Sequence, residues 1–221
     1  MTSSAFSSPC TALAQSLLGC TLCRLSPTGH LLKGKIVEVE SYLGSTDGAS
    51  HSYRGQTVRN AAMFMEPGTA YVYTIYGMYL CFNISSGGKG AAVLVRALEP
   101  LQGEDVMMKN RVARRKEGAK KLRLKDLCSG PSKLCQAMDI IKTLDQVDLT
   151  TSKEIWVERG QEVEMENIVN TTRVGIEGAG EEWAKLKLRW YILGNAHVSV
   201  KDRQEEKRMT ERDKHEEVVL V

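Results

Sequence analysis

The sequence predicts a single α+β domain built on an antiparallel sheet. Three observations predict it. The chain has 221 residues, 42% of them hydrophobic and 26% charged, which is the size and composition of one globular domain. Its first half alternates short apolar runs with Gly/Pro turns in meander fashion. Its second half mixes a long polar, helix-like stretch with further short strands and contains no internal repeat or low-complexity linker.

The elements follow in order. Residues 1–9 are Ser-rich and read as a flexible lead-in, 10–203 as the folded domain, and 204–221 as a charged C-terminal tail. The start lacks a basic stretch followed by an apolar core, so no secretory signal is expected, and an intracellular protein with reduced thiols is. Residues 10–18 have helical apolar spacing that stops at Gly19. Leu22–Leu25, the turn Ser26-Pro27-Thr28-Gly29 and Leu31–Tyr42 predict a hairpin. Within it, Lys35-Ile36-Val37-Glu38-Val39-Glu40 alternates, so Glu38 and Glu40 share a face. Gly44–Asn60 reads as a long loop. Ala70–Ile75 and Leu80–Ile84 are strands around the turn Tyr76-Gly77-Met78-Tyr79. Ala91–Leu98 is another strand, which Pro100 is expected to end. Pro100–Met138 reads as helical with a break at Gly130-Pro131. Ile155–Glu158, Glu166–Val174 and Trp190–Asp202 offer short strands.

Charge is uneven. Between Lys109 and Lys133 ten cations face only Glu117 and Asp126, a net +8 in a chain whose total is +3. The remainder therefore carries −5. Such concentration points to a polyanion, although a solvated helix face would look the same. Four of the seven tyrosines (Tyr71, Tyr73, Tyr76, Tyr79) fall within nine residues. Aromatic faces beside a basic segment suit unstacked bases, and strand packing is the plainer alternative. Glu38 and Glu40 offer carboxylates for acid–base work at a glycosidic bond, or simply a wet strand face. His51 sits in a loop. Ser129-Gly130-Pro131-Ser132-Lys133 reads as an amide nest opening a helix. Cys20 and Cys23 have CxxC spacing, but residues three apart on a strand point to opposite faces, so no metal is expected. The longest apolar runs are too short to span a bilayer, so no membrane partner is expected.

Several segments, in order, resemble the alkyladenine (3-methyladenine) DNA glycosylase family, vertebrate type. They are Ile36–Gly44, Met63-Phe64-Met65-Glu66-Pro67-Gly68-Thr69-Ala70-Tyr71-Val72-Tyr73, Ile75-Tyr76-Gly77-Met78-Tyr79, Asn83-Ile84-Ser85-Ser86, Val95–Pro100, Leu127–Ala137, Arg173-Val174-Gly175 and Val198-Ser199-Val200. The resemblance covers roughly residues 10–203. It implies a curved antiparallel β-sheet core surrounded by helices. It implies a monofunctional base-excision repair enzyme without lyase activity or cofactor, acting as a monomer in the nucleus on double-stranded DNA. Its substrates would be alkylated or deaminated purines: 3-methyladenine, 7-methylguanine, hypoxanthine and ethenoadenine. By the same resemblance Glu40 is the general base, and Arg96 and the Val174 carbonyl position the water. Tyr42, His51, Tyr73 and Asn83 form the base pocket, with Asn83 excluding guanine. Tyr76 wedges into the duplex beside Met78, and Thr57, Met63, Arg111 and Lys133 contact DNA. Glu38 carries no catalytic role in the family. The chain departs from the pattern in three places. The loop from His51 to Met63 is one residue shorter, Val58 stands where the family has proline, and Glu66 stands where lysine is expected. The alternatives are a lesion-binding protein that does not cut and a small-molecule hydrolase on the same scaffold. The presence of both Glu40 and Arg96 argues against the first, since a pure binder needs neither, and the basic segment and Tyr76 argue against the second.

Overall fold

The computed structural model describes residues 1–219. Thr21–Leu25 (β1) and Leu31–Tyr42 (β2) form the first hairpin. Ala70–Ile75 (β3), Tyr79–Ser85 (β4) and Ala92–Gln102 (β5) follow, then Ile155–Glu158 (β6), Ile168–Thr171 (β7) and Arg189–Ile192 (β8). Together these form one curled antiparallel sheet with the order β3-β4-β5-β2-β1-β6. The twelve-residue β2 is its spine. β5 pairs along one edge of β2, while the other edge is shared: β1 takes Leu31–Lys35 and β8 takes Glu38–Glu40. β7 then pairs with β8. Two register shifts around Glu38 bend β2 where its partner changes, the usual effect of bulges. The bend lets Ile36 and Val39, three apart, join the same core cluster while Val37 joins another.

The helices are Ser3–Phe6 (α1), Cys10–Leu17 (α2), Glu104–Val112 (α3), Pro131–Ala137 (α4), Glu181–Ala184 (α5) and Arg203–Val219 (α6). α2 repeats apolar residues at the helical period and buries Cys10, Leu13, Ala14 and Leu17. It lies on β2 and β5, while α4 lies on β4 and β5. The main core unites these helices with Ile36, Val39, Phe82, Val93 and Val95. Each such side chain contributes about 1.5–3 kcal/mol on leaving water. No helix among the described residues is long and apolar enough to cross a membrane.

Four expectations need correction. The lead-in 1–9 is not loose: α1 lies within it, and Phe6 is fully buried in the main core. Pro100 does not end β5, because it sits at a register shift (Gly34 faces Pro100, Lys33 faces Gln102). Proline is tolerated at such a bulge because no ladder donor is needed there. Pro100–Met138 is not continuously helical; only α3 and α4 are. Past the end of α3, Arg114 and Arg115 fall three and four residues after Arg111, placing like charges one helical turn apart, which disfavours continuing the helix. The strands expected over 166–174 and 190–202 shrink to β7 and β8. The C-terminal tail begins as α6, and residues 220–221 lie outside the described residues.

Candidate active site

Glu38 and Glu40 were open to the reading of a wet strand face. Both are fully buried instead, because Arg96 from β5, Arg189 from β8 and the segment carrying Val174 cover that face of β2. A buried carboxylate must find donors or lose its charge. Glu40 finds three. Its Oε1 accepts from the Val174 amide at 2.8 Å and pairs with Arg96 Nη1 at 3.0 Å. Its Oε2 accepts from the Tyr42 hydroxyl at 3.0 Å. Burial first, then the Glu40 charge, pushes the Tyr42 hydroxyl well up, so it keeps its proton and remains a donor.

Glu40 lies on the wall of a cavity of about 460 Å³. Tyr71 and Tyr73 form an aromatic side of that cavity. Both project from β3 to the same face, and their rings stack at 5.3 Å with 28° between planes. His51 stands edge-on to Tyr73 at 4.5 Å and shares a 2.9 Å hydrogen bond between Nδ1 and the Tyr71 hydroxyl. Burial pushes the Tyr71 hydroxyl up to about 12 and moves Tyr73 higher still. His51 is pushed down, by desolvation first and by the Arg59 cation second. At neutral pH this side of the cavity is therefore uncharged. Asn83, buried on β4, donates Nδ2–H to the Tyr71 carbonyl at 3.0 Å, which fixes the amide against the cavity.

A second ion pair sets the other side. Arg173 and Asp47 are fully buried, with Nη2 to Oδ1 at 3.0 Å. Asp47 also accepts the amides of Leu43 and Ala49, and Arg173 donates to the Ser41 carbonyl. The Arg173 guanidinium lies 4.8 Å from the centre of the Tyr42 ring. This cluster joins the end of β2, the loop leading to His51 and the segment presenting the Val174 amide. Beyond Val174 the chain crosses the cavity at Gly175–Ala179 and enters α5. Trp183 on α5 packs on Gly48 so closely that a Cβ there would come within 2.3 Å of the indole nitrogen.

Eight of the residues singled out from sequence line this one cavity: Glu40, Tyr42, His51, Met63, Tyr73, Asn83, Arg96 and Val174. Met63 was expected against DNA, but it is buried with Tyr71 and Ala92 in the cavity wall. Tyr76 and Met78 stand apart, at the tip of the β3–β4 hairpin, 84% and 70% exposed. Tyr76 adopts φ 53° and Gly77 φ 70°, a left-handed turn that costs a tyrosine energy and holds its ring outward. Thr57 lies on the exposed loop, its amide and hydroxyl engaged with Asn60. Lys133 is exposed on α4, whose first residue Pro131 lines the cavity. Arg111 is a correction to the expected DNA contacts. It is buried, with Nη1 donating to the Leu127 carbonyl at 3.2 Å, so its guanidinium supports the loop rather than facing outward.

Sequence reasoning left out Cys81, Leu94 and the Arg173–Asp47 pair from the site, and offered Tyr71 only as a general stacking face. Tyr71 carried a signal, since it lies two residues from Tyr73 on one strand. Arg173 and Asp47 carried none, being 126 residues apart. Cys20 and Cys23 are buried free thiols on separate partners, the Ser16 and Thr21 carbonyls.

The family model of methylpurine-DNA glycosylase (MPG) matches residues 4–196. The chain belongs to the methylpurine-DNA glycosylase family. It is 52% identical over 201 residues to human DNA-3-methyladenine glycosylase, covering 90% of this chain and 67% of the human one. A probable DNA-3-methyladenine glycosylase of Encephalitozoon cuniculi is 50% identical over 199 residues, covering 89% and 91%. A putative 3-methyladenine DNA glycosylase of Carboxydothermus hydrogenoformans is 46% identical over 191 residues, covering 86% and 93%. The chain spans 60% of the mouse and 63% of the rat relatives' length, so it corresponds to only part of the rodent proteins. For a member of this family, the cavity at Glu40 is the candidate active site.

Proposed function

We propose that this member of the methylpurine-DNA glycosylase family takes a damaged purine out of duplex DNA into the cavity and hydrolyses its N-glycosidic bond. One observation carries the reading: a fully buried carboxylate, Glu40, stands on the wall of an aromatic cavity, fixed by Arg96, Tyr42 and the Val174 amide. A carboxylate so held is preorganised to take a proton from water and to face the positive charge that develops at the anomeric carbon.

The water oxygen bonds to the anomeric carbon as the carbon–nitrogen bond breaks. The bonding pair leaves with the purine, Glu40 takes the water proton, and an abasic site remains. Alkylated purines such as 3-methyladenine and 7-methylguanine carry positive charge and leave as neutral bases. That charge also favours their stacking on Tyr73 and Tyr71, an attraction of about 0.5–2 kcal/mol. Hypoxanthine and ethenoadenine, which carry no such charge, leave as neutral bases by taking up one proton from solvent, which the water proton held by Glu40 returns, so that the water is divided between sugar and base. Among the described residues lining the cavity none is a lysine, which supports a hydrolase without a Schiff-base lyase step. Tyr76 at the hairpin tip is sized to fill the space of an extruded base, whose removal from the stack costs a few kcal/mol. Asn83, held against the cavity, is placed to reject the exocyclic amino group of guanine.

The test is single-turnover base release from a duplex with one hypoxanthine, read as strand cleavage after alkali. Wild type should release base, and Glu40→Gln should bind the duplex without releasing it. Release by Glu40→Gln at the wild-type rate would remove the general base; tight binding by both without release would favour a lesion-binding protein.

A further inference from the structure

Glu38 and Glu40, two apart on β2, share one guanidinium. Arg96 Nε donates to Glu38 Oε1 at 3.0 Å, Nη1 pairs with Glu40 at 3.0 Å, and Nη2 donates to Ser199 Oγ at 3.3 Å. Glu38 is also tied from behind: Arg189 Nη1 reaches Oε1 at 2.9 Å and the Ser199 amide reaches Oε2 at 2.6 Å. Glu38 is fully buried and does not line the cavity. Packing alone would not call for it, since an apolar side chain fills such a space at less desolvation cost.

The geometry explains what the charge does. An arginine facing a lone carboxylate prefers the bidentate fork, with two parallel N–H donors on both oxygens. Here Glu38 takes Nε and Ser199 takes Nη2, so a single nitrogen, Nη1, remains for Glu40. It lands on Oε1, the oxygen that Val174 already holds. Oε2 is left with the Tyr42 hydroxyl and the cavity.

We propose that Glu38 is a positioning residue, which turns Arg96 so that it steadies Glu40 through one oxygen and leaves the other, engaged only by the Tyr42 hydroxyl, with a lone pair to accept the water's proton. The proposal rests on the reading of Glu40 as general base. Without the Glu38 charge, Arg96 rotates toward Glu40 and covers both oxygens, so the carboxylate stays in place but loses its open site.

The test compares wild type, Glu38→Gln, Glu38→Asp and Glu40→Gln in base release from a hypoxanthine duplex and in binding to the same duplex. Glu38→Gln should lower the single-turnover rate on the order of 100-fold, the cost of displacing a catalytic group by about an ångström. Its duplex Kd should stay within about threefold, because Glu38 does not itself line the cavity, and a loss confined to the chemical step marks a group acting there. Glu38→Asp, which keeps the charge, should recover most of the rate. A folded Glu38→Gln with the wild-type rate overturns the proposal, as does an equal loss in binding and rate or an Asp variant no better than Gln. If Glu40→Gln itself turns over like wild type, the general-base reading fails first. If Glu40→Gln is inactive and Glu38→Gln is not, only the positioning role falls. Should Glu38→Gln not fold, Ser199→Ala decides, since it removes only the Nη2 acceptor. About a tenfold rate loss at unchanged Tm is expected from that freed nitrogen, and a wild-type rate overturns the proposal.

Discussion

Replacing Asp47 by asparagine keeps the shape of the side chain and removes one charge from a pair that water does not reach. Four donors converge on its two oxygens: the two terminal nitrogens of Arg173 and the amides of Leu43 and Ala49. Asparagine offers one acceptor oxygen, and its amide hydrogens face donors on the other side. Arg173 is then a buried cation left with the Ser41 carbonyl and the Tyr42 ring. Breaking a buried pair from one end costs about 3–5 kcal/mol. For a chain of 221 residues, each kcal/mol shifts Tm by about 2–4 °C, so a fall of about 6–20 °C is expected. Urea unfolding should show a lower midpoint at unchanged slope. A melting point within about 3 °C of wild type, less than 1–2 kcal/mol by the same scaling, would refute the reasoning. It would mean that Arg173 is anchored by the ring and the carbonyl alone.

The remaining predictions concern other parts of the molecule. His51 and His197 are both pushed below the ordinary 6.5, in each case chiefly by desolvation. The unfolded chain therefore binds protons more readily, and their contribution to stability, present above pH 6.5, falls as pH drops below it; His51→Gln with His197→Gln should flatten the fall in urea midpoint between about pH 6.5 and 5. Tyr76→Gly relieves a positive φ on an exposed residue, so Tm should hold or rise slightly, while base release from duplex falls about tenfold or more, a decade per 1.4 kcal/mol of lost flipping energy; undiminished release would remove the wedge. Phe6→Ala should cost about 3–5 kcal/mol as a core cavity, and a loss below 1 kcal/mol in denaturant melts would return residues 1–9 to a loose lead-in.

What was legible in the sequence divides by range. The first hairpin was readable because Ser26-Pro27-Thr28-Gly29 is a local turn and Leu31–Tyr42 a long alternating run, and the β1–β2 pairing follows. α2 was readable from its own period. The burial of Glu38 and Glu40 was not, because alternation says which residues share a face but not what covers it. The covering groups, Arg96 and Arg189, lie 58 and 151 residues from Glu38. The extension of β5 through Pro100 was hidden for a similar reason, since tolerance depends on a bulge that only the partner strand defines. The resemblance supplied what local pattern lacked, naming residues from separated segments that turn out to line one cavity. It also set Arg111 against DNA, as its basic neighbours would suggest, whereas its side chain is turned inward onto the Leu127 carbonyl.

The polar side of the cavity, with the buried charges packed behind it, has a charge balance that bears on what it accepts. Glu38, Glu40 and Asp47 stand against Arg96, Arg189 and Arg173, all six buried. The two groups are linked through Tyr42, which donates to Glu40 and lies beneath Arg173. Three charges of each sign leave no net charge to be neutralised by the ligand. The opposite side is tyrosine and neutral histidine. A neutral purine therefore enters without meeting an unpaired charge, which would otherwise cost its own desolvation. A cationic purine gains in addition from the aromatic faces. Under the proposed function, acceptance of both kinds of base would follow from internal pairing rather than from a flexible pocket. Removing one member of either pair should then narrow the range as well as lower the rate. Asp47→Asn, which leaves a net positive site, should lose release of 7-methylguanine more than release of hypoxanthine; equal losses for the two bases would show that charge balance plays no part in the choice.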